Sequence, residues 1–215
     1  MPFRDRSQDF ATAFIVVVSA ASVSVALRML FKFKSSTLTM GWDDWTILIT
    51  HANGIAMTVF GVYGLCGHGM GRDLWTLPLE DLTPLLQYLY LSEVFYFLNI
   101  TLLKASLLFF YMRIFNTPGT IKLLWASHAF NAIFGLACSF AAVFQCSPVN
   151  YAWYQWDGEH EGTCLNFNGL TWTNAIVGIT LDFWMLAIPL NKLRSLNLGW
   201  KKKVAVGLMF CAGTL

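Results

Sequence analysis

The sequence predicts an all-α fold, a polytopic transmembrane helix bundle with five complete spans and a partial sixth. Three observations predict it. The 215 residues are 56% apolar, 16% aromatic and only 12% charged, whereas a soluble domain carries about 25% charge. Charges are swept out of five successive, mostly apolar stretches of roughly 20 or more residues, each long enough at 1.5 Å per residue to cross a bilayer core about 30 Å thick. The fourteen Lys and Arg are also sorted by loop. Arg28, Lys32, Lys34, Arg113, Lys122, Lys192, Arg194 and Lys201–Lys203 lie at alternate connections, Arg4, Arg6 and Arg72 lie on the opposite side, and Lys104 is inside a span. A bilayer sorts charge in this way, because Lys/Arg-rich loops stay in the cytoplasm.

The elements follow in order. Residues 1–9 read as an outside tail and 10–31 as the first span, with Arg28 snorkelling from its inner end. A cleaved leader is the competing reading of Arg4, Arg6 and the run Ala13–Leu27. Against it, Arg28, Lys32 and Lys34 put a cytoplasmic flank on the wrong side for secretion. The second span, 42–66, opens on Trp42-Asp43-Asp44-Trp45, and a Gly/Pro-rich outside loop with Arg72 follows. The third, 84–112, places Pro84 in its first turn, and Arg113, Pro118, Gly119 and Lys122 make a tight inside turn. The fourth is 123–146. Residues 147–169 lack Lys and Arg and carry Asp157, Glu159 and Glu161, so this loop is outside. The fifth span, 170–190, runs into the strongest basic cluster.

The run 204–215 is too short to cross a bilayer core. The expectation is a fragment of a longer chain that completes a sixth span and adds a seventh. The topology is multi-pass with the N-terminus outside, and the plasma membrane is the expected location. Trp42, Trp45, Tyr111, Trp125 and Trp200 would form the inner aromatic belt, with Tyr63, Tyr88, Tyr151, Trp153 and Trp172 in the outer one.

Ionisable residues inside spans are expensive, at ~2.5–3.5 kcal/mol on insertion scales. Lys104 lies nine residues before Arg113, and Asp182 ten before Lys192. Both therefore sit about 14 Å deep, and an ion pair is their cheapest arrangement. His51 and Asn131, each nine residues past an inner edge, reach the same layer. Two readings stand: a buried clasp that fixes helix packing, or a ligand-responsive switch. Glu93 lies about three turns from Lys104 on nearly the same face, either facing an outward cavity or locally hydrogen-bonded.

Asp43 and Asp44 suit a helix's first turn, and pairing with basic residues of neighbouring inner loops is an additional reading. Cys146 and Cys164 bracket the outer loop as a disulfide candidate, with Cys66 as the competing partner. Lys104 is the sole intramembrane Lys, so a retinal Schiff base there is formally allowed. His68, His128 and His160 lack metal-ligand spacing. Asn99-Ile100-Thr101 fits a glycosylation pattern but lies inside a span. No hydrolase, metalloprotease or phosphate-loop motif occurs. These residues point to no enzyme, cofactor or metal, and no basic stretch stands free of a span edge to meet nucleic acid.

Several motifs taken together carry a resemblance. They are Gly41-Trp42-Asp43-Asp44-Trp45, Gly67-His68-Gly69-Met70-Gly71 with Leu74-Trp75, and Leu103-Lys104-Ala105-Ser106 with Tyr111-Met112-Arg113-Ile114-Phe115. Gln145-Cys146-Ser147-Pro148-Val149 with Trp153, Gly162 and Cys164, and Asp182 with Ile188-Pro189-Leu190, complete the set. From about Gly41 onward the chain resembles the fungal rhodopsin-like domain family, seven-span membrane proteins with G-protein-coupled-receptor-like members. The resemblance implies a rhodopsin-like bundle, Asp43 and Asp44 as a family motif at the cytoplasmic end, and a receptor-like function with an unknown small-molecule ligand. The lipid bilayer is the first partner, and a cytoplasmic signalling protein at the 191–203 loop is the second. The alternative is a transporter or accessory membrane protein of a fungal secondary-metabolite pathway. Retinal binding does not follow from the family's name.

Overall fold

The computed structural model describes residues 5–34, 40–115 and 117–195. The expected partial sixth span, Lys201–Lys203 and Trp200 lie outside the described residues, as do the side chains of Lys192 and Arg194. Among the described residues, five helices are long and apolar enough to cross a membrane.

Helix α1, Ser7–Lys34, has Asp9 in its first turn and Lys32 and Lys34 in its last, complementing the helix dipole. It buries no residue. One stripe of it, including Phe14, Val18, Ser22 and Val25, is half-buried against the bundle. An apolar helix exposed over the rest of its surface is stable only in lipid, where Val16, Val17 and Phe31 face hydrocarbon instead of water. Residues 5 and 6 are not a free tail. Arg6 N–H donates to the Gly71 carbonyl at 3.0 Å, and Arg72 Nε pairs with Asp5 at 3.0 Å.

Helix α2, Trp42–Val59, continues as wide π-turns over Phe60–Cys66. Gly61 and Gly64 are buried there. A Cβ on Gly64 would overlap the Tyr88 ring, so the absent side chain makes room for the third helix. In the loop that follows, Gly69 and Gly71 take φ of 96° and 94°, the left-handed region that L side chains avoid.

Helix α3, Leu79–Ile114, is the 36-residue axis of the bundle, about 54 Å long. Its start corrects the expected boundary. Glu80 and Asp81 occupy the first turn behind Pro78, and Pro84 falls inside the helix. The acidic residues initiate the helix earlier because they face its positive end. Helix α4, Pro118–Val143, opens on a proline whose missing N–H would be unpaired in any case.

The fourth span also ends earlier than expected. Cys146 lies in strand β1, Cys146–Ser147, paired antiparallel with β2, Thr163–Cys164, and the two cysteines are disulfide-bonded. Between the strands lies the short helix α5, Tyr151–Tyr154. The last described helix, α6, spans Phe167–Ser195, with Pro189 inside it.

Two apolar clusters centre on α3. Leu108 and Tyr111 meet Leu124 of α4 and Met185 and Ile188 of α6. Toward the disulfide end, Phe97 meets Cys138 and Ala142 of α4. Tyr111 is therefore a core residue and not part of the aromatic belt, whereas Trp42, Trp45, Trp125, Tyr63 and Trp172 are exposed as a belt requires. Helices α3 and α4 approach closely where Gly135 faces Thr101, since a Cβ at 135 would overlap the threonine side chain. Small residues at such crossings are how helices pack tightly in lipid.

Gly135→Ala is expected to destabilise the bundle by about 1–3 kcal/mol. Gly119→Ala, at a position with open space around it, should be neutral or stabilising by up to ~1 kcal/mol. Thermal melts of the two variants in detergent make the comparison. Equal melting points would mean that the close α3–α4 approach is not needed.

Candidate functional site

The most heavily charged site lies at the end of the bundle where α1 finishes and α2 begins. Asp43 and Asp44 occupy the first turn of α2, and Asp44 accepts the Gly41 N–H at 2.9 Å, tying down the helix entry. Both carboxylates are buried, which requires cations. Arg28 and Lys32, four residues apart on one face of α1, supply two. Arg28 reaches Asp43 at 2.6 Å and Asp44 at 3.1 Å, and Lys32 pairs with Asp44. Arg113 at the end of α3 reaches Asp43 at 3.3 Å and Asp44 at 3.7 Å.

Ser106 adds a hydrogen bond to the Asp43 carbonyl at 3.2 Å. Arg28 therefore turns inward, over the Phe110 ring, and does not snorkel. Gly41 is where this cluster leaves no room, because a Cβ there would overlap Asp43 Oδ1 and lie 3.2 Å from Arg113.

Deeper in the bundle, Lys104 Nζ lies 2.9 Å from Asp182 and donates to the Gly178 carbonyl at 2.7 Å, linking α3 to α6. The pair is lopsided: the Lys104 side chain is 7% exposed and that of Asp182 49%. The other two expected members of the layer do not join it. His51 Nε2 lies 3.1 Å from Ser22 Oγ, between α2 and α1. Asn131 donates to the Thr101 carbonyl at 3.0 Å, between α4 and α3. The polar layer is thus a set of separate two-helix clasps, not one network. Each lone polar residue met a nearer partner on an adjacent helix first.

At the opposite end, Glu93 accepts from Gln145 Nε2 at 3.1 Å, and its other carboxylate oxygen is buried without a hydrogen-bond partner. The disulfide-closed loop lies against α3. Trp153 stands edge-on to Tyr90, and Trp156 Nε1 donates to Thr83 at 3.1 Å. Cys66 is a free thiol. Within the loop, desolvation is the largest single influence on the Asp157 carboxyl and pulls its pKa up. Hydrogen bonds from the Glu159 and His160 backbones and the His160 ring outweigh this and hold it below the usual carboxylate range.

Three larger cavities open between helices. One of about 650 Å³ separates α1 from α2 and α3, with His51, Thr50 and Asn99 on its walls. Another, of about 440 Å³, lies between α4 and α6 and is almost wholly apolar. A third, of about 750 Å³, opens beside the acidic pair. Lys104, Asp182, Glu93 and Asn131 line none of these three. Among the described residues, no group of three His, Cys, Asp or Glu converges as a metal site.

Sequence reading missed the Asn53 clasp, in which Asn53 donates to the Phe95 carbonyl at 3.0 Å and to Asn99 at 3.3 Å. Pairing of Asp43 and Asp44 with basic residues of the neighbouring inner loops was one open reading, but Arg28 was placed as a snorkelling residue and its convergence with Lys32 on α2 was missed. The signal for that convergence is present: basic residues four apart ending one helix, then two acids opening the next.

Comparison with known proteins adds to this geometry. The model of the fungal rhodopsin domain matches residues 27–215. A SAT4 family membrane protein of Emericella nidulans is 28% identical over 149 residues, covering 68% of this chain and 38% of its own length. Fugralins biosynthesis cluster protein 2 of Gibberella zeae is 23% identical over 214 residues, covering 94% of this chain and 52% of its own length. The chain thus spans about half or less of the length of these curated relatives. No solved structure matches it.

Two outcomes follow from the charge geometry. Asp44→Ala, which strands cations around a fully buried position, is expected to cost about 3–5 kcal/mol. Thermal melts in detergent would read this as failure to fold or a large fall in melting point. For the deeper pair, Asp182→Ala leaves the buried Lys104 uncompensated and should lower folded yield most. Lys104→Ala should lower it less, and the double variant least, with a coupling on the order of 1 kcal/mol. A double variant worse than either single one would refute the pairing.

Proposed function

Because the chain belongs to the fungal rhodopsin domain family, we propose that this multi-pass membrane protein is receptor-like. In this reading the Lys/Arg-rich end lies in the cytoplasm, and the N-terminus and the disulfide loop lie outside, where disulfides persist. The membrane is the plasma membrane. The observation that carries the reading is the Lys104–Asp182 contact, the ion pair that attaches α6 to the α3-centred core. Helix α6 contains residues 191–195, which the sequence reading placed in a loop, and these open the 191–203 segment, the candidate surface for a cytoplasmic signalling protein.

The charge cluster on Asp43 and Asp44 holds α1, α2 and α3 as a frame. Against that frame α6 is the element with two available positions. A small-molecule ligand acts by favouring one of them, in proportion to its difference in affinity for the two states.

A second reading has its own support. One relative is named for a biosynthesis cluster, and an accessory or transport protein of a secondary-metabolite pathway would fit the apolar cavities between helices. Flux of a labelled metabolite into vesicles containing the full-length protein would favour this reading.

For the receptor reading, Lys104→Gln in the full-length protein is expected to raise ligand-independent G-protein recruitment about tenfold, corresponding to a shift of 1.4 kcal/mol. Recruitment is measured by energy transfer and normalised to surface expression. Unchanged recruitment in a well-expressed variant would contradict the proposed role of the pair.

A further inference from the structure

The cavity beside the acidic pair has the form of an interfacial lipid site. It is walled by the first turn of α2 on one side and by the apolar side chains of Phe109 and Met112 of α3 and Ile121 of α4 on the other. Trp42 and Trp125 flank it and are largely exposed, as tryptophans at a headgroup boundary are. Arg113 stands at its mouth, about one third exposed. Lys122 lies on α4 beside Ile121 and three residues before Trp125, hence on the face that borders the groove, and it is exposed.

The charge of this end is unbalanced. Among the described side chains, this end carries Arg28, Lys32, Lys34, Arg113 and Lys122 but only Asp43 and Asp44, five cations against two carboxylates. Arg28 and Lys32 cover the carboxylates from the α1 side, so Arg113, which reaches them from α3, and Lys122 leave net positive charge at the groove.

We propose that this groove binds a phospholipid with an anionic headgroup. Its phosphate sits on Arg113 and Lys122, and an acyl chain lies along Phe109, Met112 and Ile121. Basic pockets between transmembrane helices at the headgroup level select anionic lipids by this combination. A soluble anion would gain nothing from the apolar side chains, and a zwitterionic lipid, whose phosphate is offset by its own cation, would gain less from the excess cations than one of net negative charge. The site is independent of the receptor reading and requires only that the helices span a membrane.

The test uses the full-length protein in detergent micelles with equal amounts of phosphatidylserine and phosphatidylcholine, with bound lipid counted by native mass spectrometry. Phosphatidylserine should be retained about fivefold over phosphatidylcholine for each basic residue engaged. Lys122→Gln should remove one such factor, and Trp125→Ala should reduce retention of both lipids. A thermal melt of Lys122→Gln should match the parent, because Lys122 is exposed and does not belong to the acidic cluster. Equal retention of the two lipids overturns the proposal, as does a preference unchanged in Lys122→Gln, which would place the bound lipid elsewhere. Displacement by water-soluble glycerophosphoserine as effectively as by the lipid would overturn it too, by removing the role of the acyl groove.

Discussion

Two adjacent carboxylates buried at the start of α2 impose more order on this bundle than any apolar contact. Removing an ion from water costs several kcal/mol unless cations and hydrogen bonds compensate it. Asp43 and Asp44 obtain that compensation from two other helices at once. The ends of α1 and α3 are thereby located relative to α2, and Gly41 is required because the converging side chains fill the space a Cβ would need. The same acids favour the positive end of the α2 dipole, so one pair of residues starts a helix and joins three.

This matters more in lipid than in water. Helices inside a bilayer gain no hydrophobic free energy by meeting, so packing of small residues and polar contacts decides their arrangement. The bundle uses both devices. Gly64 under Tyr88 and Gly135 under Thr101 let α2 and α4 come close to α3. The clasps of Asn53, Asn131 and Lys104 then each join α3 to a different neighbour, α2, α4 and α6. The longest helix is central because these three clasps all end on it, whereas the His51–Ser22 contact joins α1 to α2.

Much of this was legible in the sequence, for physical reasons. Apolar run length and charge sorting are set by the bilayer, which acts on each helix separately, so the five described spans and the disulfide loop could be read one at a time. Equal depth of Lys104 and Asp182 follows from helix rise alone, and the two are in contact. What depth cannot supply is azimuth. His51 and Asn131 share that layer by count, yet they turn toward Ser22 and the Thr101 backbone. Arg28 was read as a snorkelling residue because only its own helix was considered, while its partners lie fifteen and sixteen residues downstream. Tyr111 was assigned to the belt by its position near a span edge, but α3 extends through the bundle centre and buries it.

The peripheral helices α1 and α6 are therefore held by charge in unequal measure. Helix α1 buries no side chain, but Arg28 and Lys32 bind it to Asp43 and Asp44 through several contacts, so no single loss would release it. Helix α6 shares an apolar cluster with α3 and α4 and, among the described side chains, has one ion pair, whose carboxylate is half exposed. Contacts that are few and partly exposed open at lower free energy than those that are many and buried. Motion at lowest cost then belongs to α6, with α1, α2 and α3 as the frame.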